Sequence, residues 1–284
     1  MKNITILINC KDSKGIIAGI TSFIHEQKGN IVYVDQYVDR EEEMFFMRLE
    51  CEFVKNEFSE ATFKDNLNNN IGAVFNMTWQ LHDTDMKPKM AIFVSKFSHC
   101  LYDILSRYNT GELEVEIPLI ISNHPNLESV AKSFNVPYYH IPVTKDTKME
   151  AEKEQLKLLK KYHVDCIILA RYMQIISSDL IAEFPDQIIN IHHSFLPAFP
   201  GAKPYHSAYK RGVKIIGATS HYVTEDLDEG PIIEQDITRV SHTHIIKDFI
   251  LKGRDLEKIV LSRAIKQHTK HKVMVFKNKT VVFT

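Results

Sequence analysis

Residues 188–201 read Ile-Ile-Asn-Ile-His-His-Ser-Phe-Leu-Pro-Ala-Phe-Pro-Gly. Ile188–Ile191, three β-branched isoleucines and one asparagine, read as a short buried strand. Polar residues follow at once, and Pro197 and Pro200 then restrict the backbone. Three earlier runs share this character: Met90–Val94, Glu116–Ile121 and Cys166–Ala170. Between them lie helical patterns over roughly 97–108, 125–134 and 148–163. Strands alternating with helices predict parallel βαβ units, hence an α/β domain with an open, mostly parallel sheet and helices on both faces. Such sheets bind ligands outside the carboxyl ends of their strands, which is where residues 190–194 fall.

The region before residue 83 follows another plan. Residues 4–9 form an apolar strand, and a polar loop (Cys10–Gly15) leads to a helical pattern with Ile16, Ile17, Ile20, Phe23 and Ile24 on one face. Gly29-Asn30 ends that helix, and Ile31–Val38 is a second strand. Over 45–53 the residues alternate, with Phe45, Met47, Leu49, Cys51 and Phe53 on one side and Arg48, Glu50 and Glu52 on the other. A helical stretch over 57–75 and a strand over 76–82 complete β-α-β-β-α-β, the ferredoxin-like order. The expected division is residues 1–82, a polar Pro-containing linker at 83–89, and residues 90–284.

Composition narrows the possible functions. The chain has 284 residues, 44% hydrophobic and 25% charged, with a net charge of −1. That charge gives no basic field for nucleic acid or an anionic membrane, and the lysines at 157, 160 and 161 read as a solvated helix face. No apolar stretch approaches the ~20 residues of a membrane span. The N-terminal apolar run of about six residues is shorter than a signal-peptide core. Cys10, Cys51, Cys100 and Cys166 are far apart among apolar neighbours, reading as buried hydrophobes and not as a thiolate zinc site. The cytoplasm is the expected location.

Asn190 and His192, two residues apart on a strand, point to the same side, with Ile191 turned into the core. A second polar cluster, His221 to Pro231, contains Asp228. An amide, an imidazole and a carboxylate suit acyl-group chemistry: the first two donate to a tetrahedral oxyanion, and the third manages protons. Spacing alone does not join Asp228 to His192, 36 positions away. On the residues alone, strand-end Asn and His are as readily surface or capping groups, and His192, His193, His221 and Asp228 could instead ligate a metal, although no HExxH-like spacing occurs.

Taken together, residues 189–201, 217–223 (Gly-Ala-Thr-Ser-His-Tyr-Val) and 227–233 (Leu-Asp-Glu-Gly-Pro-Ile-Ile) resemble the formyltransferase fold family, and within it the 10-formyltetrahydrofolate deformylases. Asn123-His124, Arg171-Tyr172-Met173, residues 201–206 and residues 253–258 match as well. Residues 12–18 resemble an ACT domain, and this pairing of domains is characteristic of the deformylases. The resemblance implies Asn190, His192 and Asp228 as the catalytic groups. It implies Met173, Gln174, Ile175 and Ile176, with the loop Thr224, Glu225, Asp226, Leu227 and Gly230, as the folate pocket. It needs no cofactor and no metal, since the folate is the substrate. His193 and His221 receive no firm role. An ACT-like domain implies side-by-side pairing into a homo-oligomer and an amino-acid effector, with Asp12, Gly15 and Asn30 as the positions to examine. Two other readings compete: a folate-dependent formyltransferase to an amine, and a catalytically dead amino-acid sensor, against which the complete Asn190, His192, Asp228 set argues. In the related glycinamide ribonucleotide transferases the first strand leads into a glycine-rich phosphate loop. Here the matching loop, Ser95-Lys96-Phe97-Ser98-His99, has no glycine and carries the bulk of Phe97.

Overall fold

The computed structural model describes residues 1–198 and 204–284. The part of the 188–206 motifs over residues 199–203 therefore lies outside the described residues. By backbone contacts the chain divides into two compact units, one of Met1–Met86 with Lys270–Met274 and Val281–Thr284, the other of Lys87–Thr269 with Val275–Thr280.

The first unit begins β1 (Lys2–Lys11), α1 (Ile16–Glu26), β2 (Asn30–Asp39), β3 (Met44–Phe53). Next, α2 (Glu60–Leu67) passes through a π turn at Asn68–Gly72 into a single helical turn, α3 (Ala73–Phe75), and β4 (Thr78–Asp83) follows. The sheet order is β2-β3-β1-β4, with every neighbouring pair antiparallel. Its core is the alternating face of β3 expected from sequence, Phe45 through Phe53, packed on Ile16, Ile20, Phe23 and Ile24 of α1. Each such fully buried side chain contributes about 1.5–3 kcal/mol. Ile17, also placed on that face, is exposed instead, because it stands at the flank of the stripe. Helix α1 closes at Gln27 and Lys28, the latter in the left-handed region, so Asn30 is already strand. Gly29 is small for packing reasons: a Cβ there would stand 2.7 Å from the Phe53 ring.

Arg48 departs from the expected outward face. It is buried, donating from Nε to the His271 carbonyl (2.8 Å) and from Nη2 to the Lys270 carbonyl (3.1 Å). Residues 270–274 thus cover that side of β3, which an alternation pattern read locally does not reveal.

The second unit contains β5 (Met90–Val94), α4 (His99–Asn109), β6 (Ile120–Ser122), α5 (Glu128–Ser133), β7 (Tyr138–His140), α6 (Lys148–Tyr162), β8 (Cys166–Leu169), α7 (Ser178–Glu183) and β9 (Ile188–His192). The described chain resumes in α8 (Pro204–Arg211) and continues through β10 (Ile215–Tyr222), β11 (Ile232–Arg239) and α9 (Ile246–Thr269) to a hairpin of β12 (Val273–Phe276) and β13 (Lys279–Val282). The second of these strands, β6, is shorter than the expected 116–121, as Pro118 supplies no ladder N–H. The seven-stranded order is β11-β10-β9-β8-β5-β6-β7; β9, β8, β5, β6 and β7 are parallel, and β10 runs antiparallel to both its neighbours, β9 and β11. Leu159 of α6 and Leu180 of α7 pack with Phe93, Ile121, Ile167 and Leu169, while α9 lies along β9, β10 and β11. The strand order reverses between β5 and β8, which opens a crevice at their carboxyl ends.

Candidate active site

Strand β9 delivers Asn190 and His192 to one side of this crevice. Antiparallel β10 places His221 directly opposite Asn190 in the ladder. At that point the pairing of β10 with β11 is irregular, between Ser220 and His221, a device that re-aims side chains beside functional sites. The loop from Val223 to Gly230 then folds back and brings Asp228 to the cluster. Asp228 itself adopts a left-handed backbone, φ 59°, which Asp and Asn tolerate better than most residues.

The geometry is compact. His192 Nδ1 lies 3.2 Å from Asp228 Oδ2, and His221 Nε2 lies 3.7 Å from Asp228 Oδ1. Asn190 Nδ2 is 3.2 Å from His221 Nε2 and donates over 3.5 Å to Asp228 Oδ1. His221 Nδ1 donates to the Tyr222 carbonyl at 2.9 Å, which fixes that ring. Burial alone would raise the Asp228 carboxyl, but hydrogen bonds and charge from His192 and His221 outweigh it and hold the group well below the usual carboxylate range. Asp228 is thus held in its ionised form. His192 is only 5% exposed, and its Nε2 is buried with no hydrogen-bond partner among the described residues. A buried nitrogen left without a partner costs free energy unless a ligand supplies one.

Thr219 secures the turn that leaves β9: its hydroxyl donates to the Ser194 carbonyl and accepts from Leu196 N and Gln235 Nε2. The four groups open onto a cleft of about 260 Å³. Its walls include Met173, Gln174, Ile175 and Ile176 on one side and Thr224, Glu225, Asp226 and Leu227 on the other. Ile175 and Leu227 are 61% and 63% exposed, so the cleft presents apolar surface that a flat ring could cover. Gly230 is not among the lining residues; it packs under the Tyr222 carbonyl at the neck of the loop. His193 and Arg171 also line the cleft. Sequence reasoning gave neither a role, and an arginine directly after a strand was the available signal for the second.

Asp12, Gly15 and Asn30 do not converge within one chain. Asp12 donates its backbone N–H to the Glu43 carbonyl beside the start of β3, and Gly15 opens α1 with φ 94°. Asn30 pairs with Glu52 near the far end of β3, some eight residues or about 27 Å along the strand.

Among the described residues, one group of His, Cys and carboxylate atoms is close enough to hold a metal: His99, Cys100 and Glu257. Tyr205 and His99 already engage that carboxylate, Arg171 stands 3.4 Å from it, and burial pushes the Cys100 thiol well above its ordinary range. Such a set is unsuited to a cation.

Comparison with known proteins agrees with the geometry. The formyl transferase family matches residues 88–265, and the ACT domain family matches residues 4–61. A formyltetrahydrofolate deformylase of Synechocystis is 49% identical over the whole of both chains. The chain belongs to the formyltetrahydrofolate deformylase family. A solved deformylase structure from Pseudomonas syringae superposes with a TM-score of 0.95 at 43% identity, covering 100% of this chain and 95% of that one. Glycinamide ribonucleotide transformylase 1 from Symbiobacterium toebii shares the fold over 72% of this chain and 98% of its own, at 25% identity and a TM-score of 0.67. The deformylase resemblance of the 189–201 and 227–233 motifs and the pairing of ACT and formyltransferase folds are therefore borne out. No helix among the described residues is long and apolar enough to cross a membrane.

Proposed function

We propose that this chain hydrolyses 10-formyltetrahydrofolate to tetrahydrofolate and formate. The observation that carries the reading is the orphaned, buried Nε2 of His192 beside an ionised Asp228, at the foot of an apolar cleft. The pterin lies between residues 173–176 and 224–228, with its formyl group against Asn190 and His192. Asp228 accepts a proton from water as the oxygen attacks the formyl carbon. The developing oxyanion takes hydrogen bonds from His192 Nε2 and from Asn190 Nδ2, whose long 3.5 Å contact to Asp228 is the one a bound oxygen draws off. Collapse breaks the carbon–N10 bond, and N10 receives a proton. Each donor to such an oxyanion is worth ~10²–10³ in rate.

The chemistry requires neither cofactor nor metal, so formate release is expected to continue after exhaustive chelation; a stoichiometric zinc on which activity depended would overturn this. The direct test is formate production from 10-formyltetrahydrofolate with and without glycinamide ribonucleotide. Formate at the same rate in both, and no formylated nucleotide by mass spectrometry, is the expected result. A formylated nucleotide formed as fast as folate turns over would make the chain a transferase, and loss of all turnover would make it a regulatory protein only.

The ACT unit is assigned to pairing of copies and to binding a small amino acid. Because Asn30 sits far from Asp12 and Gly15, all three serve one effector only if a second copy contributes its Asn30. Light scattering is expected to give a larger subunit number for the intact chain than for one lacking residues 1–82; equal values would refute the pairing. The assigned location is the cytoplasm, where the four buried free thiols stay reduced.

A further inference from the structure

Residues 171–177, which supply one wall of the cleft, have neither helix nor strand of their own. Such a segment keeps one shape only through the groups that bind its backbone and side chains. Three side chains from elsewhere in the chain do this. Ser95, buried after β5, accepts from Met173 N at 3.0 Å and donates to Asn123 Oδ1 at 2.7 Å. Glu152 of α6 accepts from Ser177 N at 3.1 Å, at the point where α7 begins. Three residues on, and on the same side of α6, Gln155 donates from Nε2 to the Tyr172 hydroxyl at 3.1 Å. The Tyr172 ring is fixed from its other side by Phe93, edge-on at 5.3 Å.

Gln155 is out of place by composition. It stands midway along the buried stripe of α6, between Ala151 and Leu159, where the helical period calls for an apolar side chain. It is wholly buried, and its Oε1 has no hydrogen-bond partner among the described residues. A buried amide with an unpaired end lowers stability, whereas apolar groups of the same shape in place of both bonding partners are close to neutral. Stability therefore does not account for the amide. Its position does: the group it holds is Tyr172, the residue that leads directly into Met173–Ile176. Neither Gln155 nor Ser95 lines the cleft.

We propose that Gln155 is a positioning residue for the folate: its bond to Tyr172, together with the bond from Met173 to Ser95, fixes the wall against which the pterin lies. The inference rests on the deformylase reading. The wall is remote in role from the formyl chemistry, so loosening it weakens ground-state and transition-state binding alike, which raises KM and leaves kcat in place.

The test compares the intact wild-type chain with Gln155→Leu, Tyr172→Phe and the two combined. It reads KM and kcat for formate release, the Kd of tetrahydrofolate by calorimetry, and Tm. All three variants lose the same bond. Each should raise KM and Kd by about 3–10-fold, the affinity equivalent of one hydrogen bond, with kcat within about 2-fold of wild type. The combined variant leaves neither partner alone, so its Tm should at least equal that of wild type while its KM stays raised. Wild-type KM and Kd in the combined variant overturn the proposal, as does a KM that rises only where Tm falls. A rise in Tyr172→Phe that Gln155→Leu lacks also overturns it, since the hydroxyl would then meet the ligand itself. Wild-type protein that releases no formate overturns the deformylase reading instead, and the tetrahydrofolate Kd values still decide the role of Gln155.

Discussion

Asp228→Asn is expected to reduce turnover at least ~10²-fold while the protein stays folded, because one substitution removes both the acceptor for the water proton and the charge that faces His192 and His221. Asparagine is the informative replacement. At φ 59° alanine would add backbone strain to the chemical loss, whereas asparagine accepts the left-handed region and keeps the size of the side chain. The carboxyl is held below its unfolded value, so its contribution to stability is fully present above that value and is lost as pH falls through the folded one. The melting difference between wild type and Asp228→Asn should thus be constant from neutral pH down to about 5 and shrink below about 4. Steady-state kinetics and calorimetry over that range check both parts. Near-normal turnover in the variant would remove Asp228 from the proton path.

Gly230→Ala should produce the second large effect, although this residue does not line the cleft. An added Cβ would stand 1.9 Å from the Tyr222 carbonyl oxygen, which is backbone and has little room to yield. The same oxygen accepts the hydrogen bond that orients His221, and Tyr222 N donates to the Pro231 carbonyl across the neck of the loop. The substitution therefore strains the neck and displaces Asp228 and His221 together. Overpacking of this kind costs about 1–3 kcal/mol or more, which lowers the Tm by roughly 5–10 °C. A shift of the catalytic carboxylate by about 1 Å adds a loss of up to ~10² in turnover. An unchanged Tm would mean that the neck has a slack conformation.

Local patterns were legible where one residue type decides one contact. The alternation of Phe45 through Phe53 gave the core face of β3, and the two-residue spacing of Asn190 and His192 gave a shared direction. Asp228 could be joined to them only through the family resemblance, since an antiparallel return and a left-handed residue bring it there, and neither has a period to read. Arg48 and Glu257 were missed for a common reason. A charged residue in an alternating strand or an amphipathic helix reads as solvated, and the elements that bury these two, residues 270–271 and Tyr205 with His99, are remote in sequence. The division of Asp12 and Gly15 from Asn30 by the length of β3 was likewise invisible, because sequence proximity around one helix says nothing of which end each residue occupies.

The place of residues 270–274 and 281–284 in the first unit bears on how the protein is made. Arg48 leaves the ribosome 223 positions ahead of the His271 carbonyl that receives its Nε. At about 5–20 residues per second the guanidinium waits roughly 10–45 s for its acceptor. The nascent N-terminal unit therefore spends most of translation as a four-stranded sheet with a charged group on an uncovered face. Its assembly waits for residues 270–274 and 281–284. The residues between them donate from Asn278 to the Glu229 carbonyl and from Thr280 to the Ile232 carbonyl, so loss of this segment would leave the N-terminal unit unfinished and also loosen the loop that carries Asp228.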